Sequence, residues 1–207
     1  MPKIEIEHRG LLTKEKYTKL TKFFQKNGQF LEEKKRFSLI YSTSKKSVRE
    51  VKDSPIDIKL RITNGQPEAA LKYGKWSGKD ARREFNFALE KDKYWEFAEF
   101  LRILGYSQYV MMANTKHDYL YKGIEFSLVE VPEWGHYFEA EILTDDTDID
   151  KSDKLIEKQL KRLDLEVLNE ESFFDLLDEL NNRDGFRIDL TKTSPGEIEN
   201  RFKEYFN

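Results

Sequence analysis

Several stretches of this chain alternate charged and apolar residues one for one, a period that only an extended strand with one charged and one apolar face can satisfy. In residues 3–9, Glu5, Glu7 and Arg9 share a face and Ile4, Ile6 and His8 occupy the other. Ile56, Ile58, Leu60 and Ile62 alternate with Asp57, Lys59, Arg61 and Thr63. Residues 68–73 set Lys72 opposite Leu71 and Tyr73, and residues 82–89 set Arg82, Glu84 and Asn86 opposite Arg83, Phe85, Phe87 and Leu89. Residues 137–143 bring Glu139 and Glu141 to one side. Further extended segments are expected at 30–44, 106–121 and 124–131, with Asn64-Gly65 and Lys122-Gly123 as tight turns that need positive φ.

Helical periods separate and follow these strands. Thr13 caps a helix running to about Asn27, with Tyr17, Leu20, Phe23 and Phe24 as its stripe and Gly28 as its stop. Residues 92–104 carry Tyr94, Phe97, Leu101 and Leu104 at helical spacing before Gly105. Three more helices are expected near 150–163, 171–180 and 195–206, the last opened by Ser194, Pro195 and a capping-box Glu197. In an open sheet the charged faces would simply meet water. Helices, however, need an apolar surface to lie on, and the strands supply one if the sheet curls with its charges inward. The expected fold is therefore α+β, a closed antiparallel β-barrel, or tunnel, of about eight strands with helices packed outside and a helical C-terminal tail. The 207 residues suit one domain, with the barrel over about 3–143 and the helical segment over about 148–207. Residues 45–55 read as a polar connection.

The charge balance narrows the partners. Thirty-six Lys and Arg face 39 Asp and Glu, a net charge of −3, so no long-range field draws in a nucleic acid. There is no cysteine for a disulfide or thiolate metal site, and no stretch long and apolar enough to span a membrane. A cytoplasmic protein is expected. The tail is expected either to cap a barrel mouth or to give a homodimer surface.

A lumen lined by Glu5, Glu7, Arg9, Lys59, Arg61, Lys72, Arg82, Glu84, Glu139 and Glu141 removes many charges from water, which is costly unless each is paired. Glutamates two apart on a strand can share a hard cation such as Mg²⁺, Mn²⁺ or Ca²⁺. Lysines and arginines from neighbouring strands can grip phosphate oxygens through charge-assisted hydrogen bonds. A linear polyphosphate bridged by a metal satisfies both halves.

The strand Glu5-Ile6-Glu7-His8-Arg9 resembles the Glu-x-Glu-x-Lys signature of the CYTH superfamily, the triphosphate tunnel metalloenzymes, which include thiamine triphosphatases, inorganic triphosphatases and class IV adenylate cyclases. Lys59-Leu60-Arg61 resembles the family's basic strand, Lys72 its next lysine, Arg82-Arg83-Glu84 its Arg-x-Glu strand and Glu139-Ala140-Glu141 its terminal Glu-x-Glu. The ordered series spans residues 3–143. It departs from the pattern at Arg9 for Lys, at Asn86 for a second acid and at Val129 for an acid before Glu-Val. Near residues 114–119 a Lys-x-Arg pair is reduced to Lys116.

The resemblance implies Mg²⁺ or Mn²⁺ held by Glu5, Glu7, Glu139 and Glu141, and a small-molecule triphosphate held by Arg9, Lys59, Arg61, Lys72, Arg82 and Lys116. The implied reaction is metal-dependent hydrolysis of inorganic, thiamine or nucleoside triphosphate. The alternatives are a class IV adenylate cyclase and a catalytically weakened polyphosphate-binding domain; no catalytic base is identified. Of the remaining features, His8 reads as a packing residue, Trp134 to Tyr137 as a gating loop or a turn with a half-buried aromatic, and residues 145–148 as a calcium site or a solvated helix start.

Overall fold

The computed structural model describes residues 4–42, 56–74, 79–106, 108–145, 148–183 and 186–206. The polar connection expected at 45–55, and Asp146 and Thr147 of the acidic run, lie outside the described residues. Strand β1 (Ile4–Leu12) leads into helix α1 (Lys14–Asn27), then β2 (Gln29–Ser42), β3 (Ile56–Thr63), β4 (Gln66–Tyr73) and β5 (Lys79–Ala88). A 3₁₀ turn (Lys91–Lys93) enters α2 (Tyr94–Ile103), followed by β6 (Gln108–Tyr121), β7 (Ile124–Val131) and β8 (Gly135–Thr144). Helices α3 (Ile149–Arg162) and α4 (Glu170–Asn182), a two-residue strand β9 (Arg187–Ile188), and helices α5 (Pro195–Arg201) and α6 (Lys203–Phe206) complete the chain.

Hydrogen bonding orders the strands β2-β3-β4-β5-β1-β8-β7-β6, and β6 pairs back onto β2, so eight antiparallel strands close into a ring. Both expected turns carry two successive positive φ angles, 48° and 72° at Asn64 and Gly65, 55° and 79° at Lys122 and Gly123, the twist a two-residue hairpin requires. Strand β9 adds to β6 at Tyr109 and Val110. Two residues carry no period, so nothing in the sequence announces it.

The apolar strand faces point outward, onto helices. One core joins Ile4, Ile6, Phe126, Leu128 and Phe138 of the ring to Leu20 and Phe24 of α1 and Ile156 and Leu160 of α3. A second joins Phe37, Leu39, Leu60 and Met111 to Tyr94, Ala98 and Leu101 of α2 and to Ile198 and Tyr205 of α5 and α6. Thr13 caps α1 by accepting from the Lys16 N–H. Gly28 ends that helix in an extended conformation, φ −106°, rather than the left-handed one its position suggested, while its N–H still reaches the Phe24 carbonyl. Ser194 and Glu197 form the expected capping box, but the helix expected over 195–206 breaks at Phe202, whose ring packs on Phe37. His8 is fully buried on the outer face, and its Nε2 lies 2.5 Å from Asp153 of α3. The outer side of β5 stays open, with Phe87 62 % exposed. Among the described residues no helix is long and apolar enough to cross a membrane.

Candidate active site

Register determines which charges meet inside the ring. On the β1–β8 ladder Glu7 stands opposite Glu141 and Arg9 opposite Glu139. On the β7–β8 ladder Glu125 also stands opposite Glu141, so Glu125, Glu141 and Glu7 form a row of carboxylates across three strands. The facing wall is basic: Lys34 pairs in register with Lys116 across β2 and β6, and Ile40 with Lys59 across β2 and β3. Between them lies a cavity of about 520 Å³.

Nine of the ten residues expected to bind metal or substrate line this cavity: Glu5, Glu7, Glu139, Glu141, Arg9, Lys59, Arg61, Lys72 and Lys116. Arg82 is the exception. It is buried, with Nη1 3.4 Å from Asp57. Alternation placed Arg82 on the same face as Glu84, and its register opposite Glu5 agrees, but its guanidinium is taken up by the buried Asp57 rather than by the open volume.

The lumen charges hold one another. Lys72 bridges Glu5, Glu7 at 3.3 Å and Glu84 at 3.4 Å. Arg9 pairs with Glu7, Lys116 with Glu139, Lys59 with Asp57 at 3.1 Å, and Arg61 with Glu84 at 2.9 Å and Glu68 at 3.0 Å. Asn86 accepts from Arg61 at 2.8 Å. Burial opposes ionisation of Glu84, yet Lys72 and Arg61 pull its pKa down to about 2. Burial likewise opposes ionisation of Glu7, but Arg9 and Lys72 hold it well below the usual carboxylate range. Glu141 goes the other way, because burial and then Glu5 push its pKa well up. Burial and Glu7 raise Glu5 as well. Among the described residues, Arg36 and Glu141 are the charged lining groups with no ion-pair partner.

The sequence reading missed Lys34, Arg36, Asp57, Glu68, Glu125 and Tyr137, all of which line the cavity. Asp57 and Glu68 were available from the same period that found Lys59 and Lys72. Helix α4 had no such signal: its Phe173, Leu176, Leu177 and Leu180 cover one end of the cavity, and the Arg9 guanidinium sits 5.0 Å from the Phe173 ring centre. Trp134 and Tyr137 line that same end, their ring centres 6.2 Å apart. Val129 faces the lumen between Lys116 and Tyr137 and is fully buried, an apolar spot on a polar wall.

Among the described residues no three acidic or histidine groups already stand in a coordinating arrangement. The donor set nevertheless fits a hard divalent cation. It is all carboxylate oxygen, and Glu141 and Glu5 have raised pKa values because burial, and then repulsion from neighbouring carboxylates, disfavours their charge.

The shape of the chain matches known structures. No family model and no curated protein matches the sequence. The PH1012 protein of Pyrococcus horikoshii OT3 superposes with a TM-score of 0.67 at 18% identity, covering 86% of this chain and 99% of its own. The PH1819 protein of the same organism gives 0.65 at 23% identity, covering 84% and 98%. HpAC1 of Hippeastrum, named as a candidate adenylyl cyclase and having a dominant triphosphatase activity, gives 0.56 at 16% identity, covering 84% and 95%. The chain shares the fold of these structures. Near-complete coverage of these structures makes the likeness one of whole architecture rather than of a shared hairpin.

Proposed function

We propose that this CYTH-type chain hydrolyses a small-molecule triphosphate in its lumen with the help of Mg²⁺ or Mn²⁺. The observation that carries the reading is the pair of facing walls, a carboxylate row on β7, β8 and β1 and a cationic wall on β2, β3 and β6, around one enclosed volume. The triphosphatase activity of the structurally similar HpAC1 supports it. Glu5, Glu7, Glu139 and Glu141 would hold the metal. Bound there, it would supply Lewis-acid polarisation of the phosphate and a more acidic attacking water.

The chain's own part is binding and charge neutralisation. Arg9, Lys59, Arg61, Lys72 and Lys116 already point inward but are occupied by carboxylates; phosphate oxygens arriving with a cation let each side exchange an internal partner for a ligand. Such preorganised cations stabilise negative charge as it spreads over the transferred phosphoryl group. The apolar end under α4 keeps bulk water out of the charged centre.

Phosphate release from inorganic triphosphate, thiamine triphosphate and nucleoside triphosphates, each with Mg²⁺ or Mn²⁺, tests the reading. Release that is lost in Glu5→Gln and Glu139→Gln supports hydrolysis. Cyclic AMP and pyrophosphate from ATP would instead identify a cyclase, and tight binding without any product a polyphosphate-binding domain.

A further inference from the structure

Arg36 breaks the rule that each cation of the cavity lining comes with its own carboxylate. It lies on β2 directly across from Asn114 of β6. Its Nε donates to Thr63 Oγ1 at 3.0 Å, and among the described residues no carboxylate reaches its guanidinium. Arg61 is its diagonal neighbour on β3, so burial and a second positive charge both press its pKa down. Asn114 is 4 % exposed, and its Oδ1 has no hydrogen-bond partner. A half-buried guanidinium with no carboxylate thus stands beside a buried amide oxygen with no donor, an arrangement that costs stability unless a third group completes it.

We propose that Arg36, with Asn114 beside it, forms an oxyanion subsite that anchors one phosphate group of the substrate. The inference rests on the triphosphate reading above. A phosphate oxygen pair accepts two parallel N–H bonds from the guanidinium, and the Asn114 amide, turned to present its NH₂, adds a donor. The subsite also accounts for a gap in the motif series: β6 offers Lys116 but an uncharged residue at 114, and β2 returns the missing charge from the next strand. Function of this kind trades against stability, since a half-buried cation kept for a ligand destabilises the ligand-free protein.

The test measures inorganic tripolyphosphate binding to the full chain by titration calorimetry, together with thermal unfolding without it. Arg36→Gln is expected to weaken binding about ten- to a hundredfold while leaving the ligand-free melting temperature unchanged or higher. Adding Asn114→Lys to that variant is expected to restore most of the affinity. Binding within about twofold of wild type, or a lowered ligand-free melting temperature with no rescue by Asn114→Lys, overturns the proposal. Should Arg36→Gln not fold, Arg36→Lys keeps the charge but loses the fork; it is expected to bind several-fold more weakly, and unchanged binding overturns the subsite. A folded wild type that does not bind tripolyphosphate at all sinks the triphosphate reading itself, and Arg36's role with it.

Discussion

Glu7 and Glu141 face each other across the β1–β8 ladder, yet their protons are held in opposite ways. Arg9 and Lys72 overcome burial to keep Glu7 ionised, whereas burial, Glu5 and Glu7 itself favour the protonated form of Glu141. Two chemically identical groups in one register pair therefore give stability of opposite pH dependence. Because the Glu141 pKa is raised on folding, its contribution is complete below the ordinary carboxylate range and is lost as pH rises towards the raised value. The Glu7 contribution is present above that range and is lost only as pH falls well below it. The melting temperature of the metal-free protein is expected to fall as pH rises from the ordinary carboxylate range towards the raised Glu141 value. Glu141→Gln should flatten that slope, and an unchanged slope would show that Glu141 ionises freely.

Lys72 is the hub of the acid wall, buried and bridging Glu5, Glu7 and Glu84. Replacing it by Met leaves three carboxylates facing each other with one cation fewer. The expected loss is about 3–5 kcal/mol of unfolding free energy in urea titration. Mg²⁺ or Mn²⁺ should restore part of it, because a divalent ion can take up the same repulsion. A neutral substitution would mean that Lys72 contributes packing rather than charge.

The strands that align with hydropathy were the legible part of this molecule. Ile56 to Thr63 alternates without interruption, and every charged residue of that strand that the period pointed inward reaches the lumen or its wall. Arg36 was hidden because Glu32 to Arg36 is an unbroken charged run, in which no face stands out until Phe37, Leu39 and Tyr41 restore the period. Glu125 was hidden for another reason. Its strand puts Glu125, Ser127 and Val129 on one face and Phe126, Leu128 and Glu130 on the other, so each face carries a single acid among mostly apolar residues and no charged face stands out. The contribution of α4 is a tertiary fact: an amphipathic helix announces an apolar face but not what that face covers.

Gly10 sits where the chain following α3 crosses β1. The Leu168 N–H bonds to the Arg9 carbonyl there at 2.9 Å, and a methyl group at Gly10 would press into the Glu166 carbonyl oxygen and lie 2.6 Å from Phe138 Cε1. Neither neighbour can yield easily, one being backbone and the other a fully buried ring. Gly10→Ala is expected to cost about 1–3 kcal/mol or more, seen as a lowered melting temperature. A change confined to a few tenths would mean that the crossing segment is loosely held. Since Arg9 is the next residue, weaker triphosphate binding should accompany the loss.

Val129 offers a gain-of-function prediction. It is directly opposite Lys116 on β6 and Tyr137 on β8, and Lys116 is at present held by Glu139. Val129→Asp introduces a carboxylate two residues closer to the α4-covered end than Ser127, within reach of the same ammonium. Burying it costs about 1–3 kcal/mol, less whatever Lys116 returns. If Lys116 turns towards the new carboxylate, Glu139 is freed for a cation, and Mn²⁺ should bind more tightly even as the melting temperature drops. Calorimetric titration of Mn²⁺ into wild type and variant measures this directly. Equal or weaker binding would show that Glu139 is not limited by its lysine, and that the apolar spot at Val129 does not weaken the acid wall.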